Sequence, residues 1–262
     1  MHDKIEEQIE QAADILMQAR YVTALTGAGH STPSGIPDFR SAESGLWQSA
    51  DPMQVASIFA FRQKPQAFYD WVRPMMNTML NAKPNPAHYA LAQLEEMGIL
   101  QAVITQNIDG LHQRAGSRVV HEVHGHLRQA TCVRCYDKVQ AEPLIRDLVE
   151  NGSIPHCSKC DGVMKPDVIL FGEQLPIQEL IASQQAARKS DVMIVAGSSL
   201  QVAPVGDVPL LTKERGGKLI FVNFDPTHLD DLADVVIYAD VADVLPRLVR
   251  ATQAGKATGF VE

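Results

Sequence analysis

The hydrophobic positions of the chain alternate between helical spacing and short apolar runs, an order typical of α/β proteins. Residues 5–19 carry apolar side chains at helical spacing, with acidic side chains on the opposite face. This pattern predicts an amphipathic helix. Continuous apolar runs occupy residues 21–26, 100–105, 191–196, 217–222 and 235–238. Helix-like segments separate these runs, so the pattern predicts a parallel sheet that is covered on both faces.

Two further segments are predicted to be strands. Residues 119–127 alternate in polarity and carry three histidines near the end of the run. Residues 167–173 form an apolar run, which we expect to bring the chain back to the main sheet. Residues 41–84 show no strand alternation and are rich in Met, Phe, Trp and Pro, which favours a helical insertion.

Four cysteines stand in two Cys-x-x-Cys pairs, with 21 residues between the pairs. This separation is just outside the range of about 15–20 residues that is usual for zinc ribbons. A redox dithiol needs only one such pair, and so two pairs around a short hydrophilic segment favour zinc. Four thiolates close a tetrahedral shell and leave no position for water. The sequence therefore predicts one structural zinc per chain, held by Cys132, Cys135, Cys157 and Cys160.

Together these patterns predict an α/β fold with a doubly wound parallel (Rossmann-like) sheet and a smaller inserted module. The large domain comprises residues 1–40, 85–127 and 166–262. The small one combines the helical insertion, residues 41–84, with the zinc ribbon, residues 128–165.

Candidate ligand-binding residues follow the predicted strands. Gly27-Ala28-Gly29 follows the first strand, where backbone N–H groups suit a pyrophosphate. The dinucleotide fingerprint G-x-G-x-x-G is broken, because its third glycine is replaced by Thr32. Gly197-Ser198-Ser199 is a second candidate phosphate or ribose contact. Asn223 and Asp240 follow the last two strands, so the sequence indicates a nucleotide in the crevice at the strand ends.

Two more candidates come from the middle of the chain. Asn107 and Asp109 follow the strand at 100–105, where they either contact a ligand or simply form a turn. His124 stands before Gly125, which leaves room around the imidazole. With an ordinary pKa near 6.5, His124 is the natural general base of the chain.

Composition narrows the class of protein. The 262 residues are 45% hydrophobic and 21% charged, and the net charge is −8. These values are typical of a globular protein and exclude the basic surface of a nucleic-acid binder. An apolar run of membrane-spanning length and a signal peptide are both missing from the sequence. We therefore expect a cytoplasmic protein without nucleic-acid or membrane partners, whose acidic surface weakly favours basic, lysine-rich partners.

These motifs, in this order, resemble the sirtuins, the NAD-dependent protein lysine deacylases. The resemblance covers about residues 10–248, and its most specific part is the block at 27–40, which ends in Pro-Asp-Phe-Arg. The other matching motifs are Thr105-Gln106-Asn107-Ile108-Asp109, His124-Gly125, the two cysteine pairs, Phe171-Gly172-Glu173, Gly197-Ser198-Ser199 and Asn223.

The resemblance implies that NAD lies across the strand ends. Its pyrophosphate would lie near Gly27, Ala28 and Gly29, and its adenosine near Gly197, Ser198, Asn223 and Val241. Nicotinamide would enter a pocket formed by Ile36, Asp38, Asn107, Ile108 and Asp109, beside a mobile loop that carries Phe39 and Arg40. Gln106 would touch the ribose, and Asn107 would position that ribose and a water. Ser31, Ser199 and Asp240 complete the predicted cofactor-binding set.

The resemblance also implies a substrate and a reaction. An acyl-lysine peptide would add to strand-like segments at 169–172 and 201–203, and Ile169, Phe171, Gly172 and Val202 would contact it. His124 would act as base on the ribose hydroxyls, and the products would be lysine, nicotinamide and O-acetyl-ADP-ribose. Sirtuins that prefer acidic acyl groups carry a Tyr-x-x-Arg pair, and the equivalent positions here are Val72 and Met75. We therefore expect acetyl or other apolar acyl groups rather than succinyl.

Three other functions would account for some of the same sequence features. A nicotinamide-linked dehydrogenase would share the fold, but the broken glycine motif disfavours it. A zinc-ribbon nucleic-acid binder is disfavoured by the net charge and by the length of the α/β sequence. A protein mono-ADP-ribosyltransferase on the same scaffold is disfavoured, but not excluded, by the presence of His124.

Overall fold

The computed structural model describes residues 2–38 and 50–258. Within these ranges the elements are α1 (His2–Gln18), β1 (Val22–Thr26), α2 (Pro52–Val55), α3 (Ile58–Gln63), α4 (Pro65–Asn81), α5 (Pro86–Glu96), β2 (Leu100–Thr105), α6 (Leu111–Ala115), β3 (Val120–Glu122), β4 (Gly125–Cys132), β5 (Lys138–Gln140), α7 (Glu142–Asn151), β6 (Met164–Val168), α8 (Ile177–Lys189), β7 (Val192–Ala196), α9 (Val208–Lys213), β8 (Lys218–Asn223), β9 (Val235–Tyr238) and α10 (Val241–Thr258). Phe39 and Arg40 of the predicted cofactor loop lie outside the described residues. In the described part of the chain, no helix has both the length and the apolar character that a bilayer crossing requires.

Six parallel strands form the large sheet, in the order β3-β2-β1-β7-β8-β9. All five residues of the central strand β1 are buried, because both faces of the sheet are covered. The strand order reverses between β1 and β7. The loops after these two strands therefore diverge and open a crevice at the carboxyl edge of the sheet. The predicted doubly wound parallel sheet is confirmed.

Apolar clusters on the two faces of the sheet hold the helices in place. One cluster joins α1, α5 and α10 to the sheet. The other packs α8 and α9 on the opposite face. On α1, the side chains at helical spacing are the buried ones, with Ile9, Ala12, Ala13 and Leu16 each at most 3% exposed. The amphipathic pattern of the sequence therefore marks the face of α1 that enters the core.

A three-stranded antiparallel sheet, in the order β5-β4-β6, forms the smaller module. The helical insertion and α7 share one apolar core with this sheet, to which Phe61, Tyr69 and Leu148 belong. Strands β4 and β6 start and end beyond the limits of 128–165 drawn from the sequence. The exact division into domains therefore stays a prediction.

The single strand predicted for residues 119–127 is wrong, because the chain changes sheets within it. Strand β3 pairs with β2 in the large sheet, whereas β4 pairs with β6 in the small one. Gly125 has a φ of +78°, and a Cβ at this position would collide with the carbonyl oxygen of Asp167. Polarity alternation continues through such a turn, and so it does not reveal the change of sheet.

The strand predicted for residues 167–173 is also misplaced. Strand β6 ends at Val168 and pairs antiparallel with β4, and the chain rejoins the large sheet only at β7. Val168 and Leu170 are buried in the core of the small module. An apolar run shows that a segment is buried but does not show against which sheet it packs.

The four cysteines converge where β4 ends. Their Sγ atoms lie within 4.8 Å of one another, and those of Cys132 and Cys160 are 3.5 Å apart. A tetrahedral site with Zn–S bonds of about 2.3 Å requires S···S separations of about 3.8 Å. The backbone N–H groups of Arg134 and Cys135 are directed at Cys132 Sγ, at 3.4 and 3.5 Å. The four cysteines are thus positioned to bind one zinc ion.

We expect Cys157→Ser to abolish zinc binding and to make residues 128–165 sensitive to protease, because the metal supplies part of the folding free energy of this segment. Elemental analysis and limited proteolysis measure the two effects. Val133→Ala, an exposed residue within the first cysteine pair, is the matched control and should keep one zinc per chain. A zinc-free Cys157→Ser protein with full protease resistance would contradict a structural role for the metal.

We expect Gly125→Ala to lower the free energy of unfolding by about 3 kcal/mol. A left-handed backbone costs an L-residue about 1–2 kcal/mol, and overpacking against the Asp167 carbonyl adds about 1–3 kcal/mol. Gly98→Ala is the matched control, since Gly98 has a φ of +71° but a Cβ there would meet nothing within 4 Å. Urea unfolding of the zinc-bound variants measures the difference. Equal losses would show that the contact with Asp167 is not what requires glycine.

Candidate functional site

A deep cleft of about 760 Å³ opens at the carboxyl edge of the large sheet and reaches the small module. Most of the predicted site residues line it: Gly27, Ala28, Gly29, Ser31, Ile36, Asp38, Gln106, Asn107, Ile108, Asp109, His124, Ile169, Phe171, Gly172, Gly197, Ser198, Ser199, Val202, Asn223 and Val241. Asp240 is not among the described lining residues; its carboxylate accepts the N–H of Ala242 at the start of α10, at 2.8 Å. Among the described lining residues there is also no cysteine.

The glycines after β1 and β7 allow two backbones to meet at the floor of the cleft. Gly29 N–H donates to the carbonyl of Gly197 at 2.9 Å. A Cβ on Gly27 would lie 2.8 Å from that same carbonyl oxygen, and a Cβ on Gly197 would collide with the backbone of His30. From the sequence, these glycines were expected to leave room for a ligand. The structure adds a second reason, because the two strand-end loops could not pack together with side chains at these positions.

The residues after β2 join this floor through hydrogen bonds. Asn107 Nδ2 donates to the carbonyl of Gly27 at 2.9 Å and to Ser31 Oγ at 3.0 Å. Ser31 Oγ in turn donates to Asp109 Oδ2 at 2.7 Å. Asp109 Oδ1 also accepts the backbone N–H of Leu111 at 2.9 Å. Asp109 thus forms the local turn and also lines the cleft, and its contact with a ligand stays a prediction.

Burial raises the pKa of the Asp109 carboxyl, and its hydrogen bonds from Leu111 and Ser31 oppose that shift. The carboxyl group therefore lies at the floor of the cleft in a low-dielectric setting, held by two donors. Such a group responds strongly to any positive charge that develops nearby.

His124 lies at the change of sheet between β3 and β4. Its Nδ1 is 3.2 Å from the carbonyl oxygen of Gln106. A carbonyl can only accept, so Nδ1 carries the proton and Nε2 of the neutral ring keeps its lone pair. Burial lowers the pKa of His124 below its ordinary value, and the bond to Gln106 opposes this shift. At neutral pH the ring is therefore uncharged and able to accept a proton.

The loops after β7 and β8 complete the polar half of the cleft. Ser198 N–H donates to Asn223 Oδ1 at 2.9 Å, and Gln106 Nε2 donates to Ser198 Oγ at 3.1 Å. Asn223 Nδ2 is buried and has no hydrogen-bond partner in the described protein. An unpaired buried donor costs free energy, and this one suits a ribose or adenine acceptor. The floor of the cleft is therefore suited to the polar groups of a dinucleotide.

The other half of the cleft is apolar and belongs to the small module. The sequence pointed to Val72 and Met75 here, and both are buried and line the cleft. Further lining residues were missed: Trp71, Met76, Met79 and Leu127. The methionines of α4 were a usable signal, because Met adapts to irregular cavities. No lysine or arginine is among the described lining residues.

The predicted peptide-binding segment connects the two halves. Ile169 N–H donates to the carbonyl of His124 at 2.9 Å. Phe171 N–H donates to the carbonyl of Ala56, and its own carbonyl accepts from Ile58 N–H, at 2.9 and 3.0 Å. This segment is thus fixed to the candidate base on one side and to the helical insertion on the other.

The sequence profile of the Sir2 family matches residues 27–204. NAD-dependent protein deacylase 2 of Archaeoglobus fulgidus is 45% identical over 246 residues, which cover 94% of this chain and 96% of that protein. NAD-dependent protein deacetylase of Sulfurisphaera tokodaii is 44% identical, and the match covers 92% of this chain and 95% of that protein.

Solved structures agree with the sequence matches. A Sir2 enzyme structure with 44% identity has a TM-score of 0.90 and covers 95% of this chain and 99% of that one. Two further Sir2 structures contain ligands. One, 41% identical with a TM-score of 0.87 over 92% of this chain and 97% of that one, holds a deacetylated p53 peptide and 3′-O-acetyl-ADP-ribose. The other, 39% identical with a TM-score of 0.84 over 97% of this chain and 99% of that one, holds a myristoylated histone peptide.

The profile covers more than half of the chain, and the relatives match it almost from end to end. The chain belongs to the Sir2 family.

Proposed function

We propose that this protein removes acyl groups from lysine side chains of proteins in an NAD-dependent reaction. The products would be nicotinamide, free lysine and O-acyl-ADP-ribose. Two findings support the proposal: the relatives are named NAD-dependent protein deacylase or deacetylase, and similar structures hold acyl-lysine peptides or acetyl-ADP-ribose. The observation that carries it is the position of His124, a neutral base between the polar and the apolar halves of one cleft.

The polar half is suited to NAD. Bound NAD supplies an electrophilic ribose carbon and nicotinamide as the leaving group. Asn107 is held by its side-chain bonds to Gly27 and Ser31, which leave its Oδ1 available to orient the ribose or a water. The Asp109 carboxyl at the floor of the cleft is placed to stabilise positive charge that develops on the sugar. The unpaired Nδ2–H group of Asn223 would donate a hydrogen bond to an acceptor on the bound NAD.

His124 would then move one proton. Its Nε2 would accept the proton of a ribose hydroxyl. The Nδ1–H group would remain hydrogen-bonded to the Gln106 carbonyl, and this bond would stabilise the imidazolium that forms. The deprotonated oxygen would then be able to take up the acyl group; overall, nicotinamide would leave the ribose carbon, the acyl group would leave the lysine amine, and one water would be consumed. The imidazolium returns its proton to the lysine amine or to water, which restores the neutral ring for the next turnover.

The apolar half would hold the acyl chain. Val72, Met75 and Met79 would supply dispersion contacts to an apolar acyl group, and the flexible side chains of the two methionines suit acyl chains of different length. Ile169, Phe171, Gly172 and Val202 remain the proposed contacts of the peptide itself.

The first test is the mass of an acetyl-lysine peptide after incubation with the protein. We expect loss of the acetyl group only when NAD is present. His124→Ala should reduce this turnover by about a thousandfold, within the range for a lost general base. His121→Ala is the matched control, because His121 lies on β3 and pairs with Glu179 at 3.1 Å instead of lining the cleft. Gain of an ADP-ribosyl group by the peptide would instead indicate ADP-ribosyl transfer.

The pH dependence of kcat/KM tests the protonation state of the base. Burial holds the pKa of His124 below 6.5, and the neutral form is the active one. We therefore expect a plateau at neutral pH and an acidic limb centred below pH 6.5, where activity falls about tenfold per pH unit. The same limb should appear in His121→Ala. A limb centred above 6.5 would mean that His124 is not the group that titrates.

Acyl preference tests the apolar half of the cleft. We expect kcat/KM for a succinyl-lysine peptide to be at least about a hundredfold below that for an acetyl-lysine peptide, because the described residues that line this half offer no cationic partner to a buried carboxylate. Met75→Arg, which adds a cation to this half, should narrow the ratio. Comparable rates on both peptides with the unaltered protein would refute the preference.

A further inference from the structure

Three histidines form a buried cluster behind the floor of the cleft. His30, His88 and His112 are at most 1% exposed, and their ring centroids lie 4.6, 4.8 and 5.0 Å apart. Four of their ring nitrogens are buried without a hydrogen-bond partner in the described protein, namely both of His30, Nε2 of His88 and Nδ1 of His112. Burial and the proximity of the rings hold the pKa of His30 well below 6.5, and burial is the main cause for the other two. All three rings are therefore neutral at pH 7, with one donor and one acceptor each.

Partners outside the cluster fix the tautomers of two rings. The backbone N–H of Asn85 donates to His88 Nδ1 at 3.3 Å, so the proton of His88 is on Nε2 and is available to the cluster. Thr26 Oγ1 donates to Thr105 Oγ1 at 2.9 Å, and so it can only accept from His112 Nε2, which is 2.9 Å away. His112 therefore leaves the lone pair of Nδ1 to the cluster.

The cluster thus contains one free donor from His88 and one free acceptor from His112, and His30 can offer one of each. A water with hydrogen bonds of about 2.9 Å spans partners about 4.7 Å apart, and the three rings offer ligand nitrogens within 4.8 Å of one another. We propose that His30 is the central link of a neutral hydrogen-bonded chain, in which buried water joins His30 to His88 and to His112, and that this chain runs on through Thr26 and Thr105 to the backbone of Asn107.

The hydrogen-bonded chain ends at Asn107, a residue of the candidate active site. Thr105 Oγ1 also accepts the backbone N–H of Asn107 at 3.1 Å. His30 directly precedes Ser31, which binds the Asn107 side chain. The three histidines therefore act as positioning residues for Asn107 and do not touch the substrate. The functional part of this inference rests on the proposed deacylase activity.

The same donor pattern disfavours a second metal site. A metal ion needs a lone pair from each of the three rings, but His88 directs an N–H group into the cluster. Binding a metal through Nε2 would require the other tautomer and would break the bond from Asn85. We therefore expect one zinc per chain, at the cysteines. Two tightly held metal ions per chain would overturn the proposal.

Nitrogen-15 NMR of the unaltered protein tests the chain without any reference to activity. The nine histidines can be labelled together, and His30→Phe, His88→Gln and His112→Gln assign the three signals. We expect all three rings to be neutral at pH 6.5, with His88 and His112 in the Nε2–H form. A charged ring, or an Nδ1–H tautomer at either position, would overturn the proposal.

Steady-state kinetics test the positioning role. His30→Phe keeps the ring shape but removes both polar atoms, and we expect kcat to fall about tenfold, the equivalent of one lost buried hydrogen bond, with little change in KM for the peptide. His30→Gln, which retains a donor and an acceptor, should recover most of kcat. An unchanged kcat in His30→Phe, or equal losses in both variants at equal melting temperature, would contradict the proposal.

A double-mutant cycle shows whether the chain acts as one unit. Thr26→Val cuts the link between His112 and Thr105, and Thr26→Ser is its control because it keeps the hydroxyl. We expect the combination of Thr26→Val with His30→Phe to lose about as much kcat as either change alone. Additive losses of about a hundredfold would show that the two residues act independently. If the unaltered protein shows no NAD-dependent deacylation, the proposed function fails. The NMR result still decides whether the hydrogen-bonded chain of histidines exists.

Discussion

The change of sheet at Gly125 is the constraint on which the rest of the site depends. Only a left-handed residue without a side chain can leave β3, pass the carbonyl of Asp167 and enter β4 in the small sheet. His124 is therefore held between the two modules. Its ring bonds to the strand-end residue Gln106 of the large sheet, and its carbonyl accepts from Ile169 of the small module. An imidazole fixed in this way can reach groups in both halves of the cleft, as the proposed role of a base requires.

The two halves of the cleft offer a ligand different kinds of interaction. At the sheet edge, glycine-rich loops meet backbone to backbone and leave hydrogen-bonding side chains such as Asn107, Asp109 and Asn223 in the lining of the cleft. In the small module, α4 contributes apolar side chains, and the zinc-binding turns support the sheet against which that helix packs. A ligand that is polar at one end and apolar at the other would satisfy both halves.

Much of this arrangement could be predicted from the sequence, because local patterns report burial and strand ends well. The apolar runs gave the bounds of β2 and β9, and the polar residues after the strands mark the cleft floor. The pattern could not show that residues 119–127 divide between two sheets, since alternation has the same form in both. It also could not show that His30 would lie against His88 and His112, because that cluster unites a loop, α5 and α6 that are distant in sequence.

The central claim is that His124 acts as a base after nicotinamide has left, and not as a residue that merely holds the fold or the ligand. Exchange of labelled nicotinamide into NAD in the presence of an acetyl-lysine peptide tests this most directly, since exchange needs binding and cleavage but no base. The account predicts that His124→Ala retains most of the exchange while it forms almost no deacetylated peptide. Equal loss of exchange and deacetylation, or deacetylation at the normal rate, would contradict it.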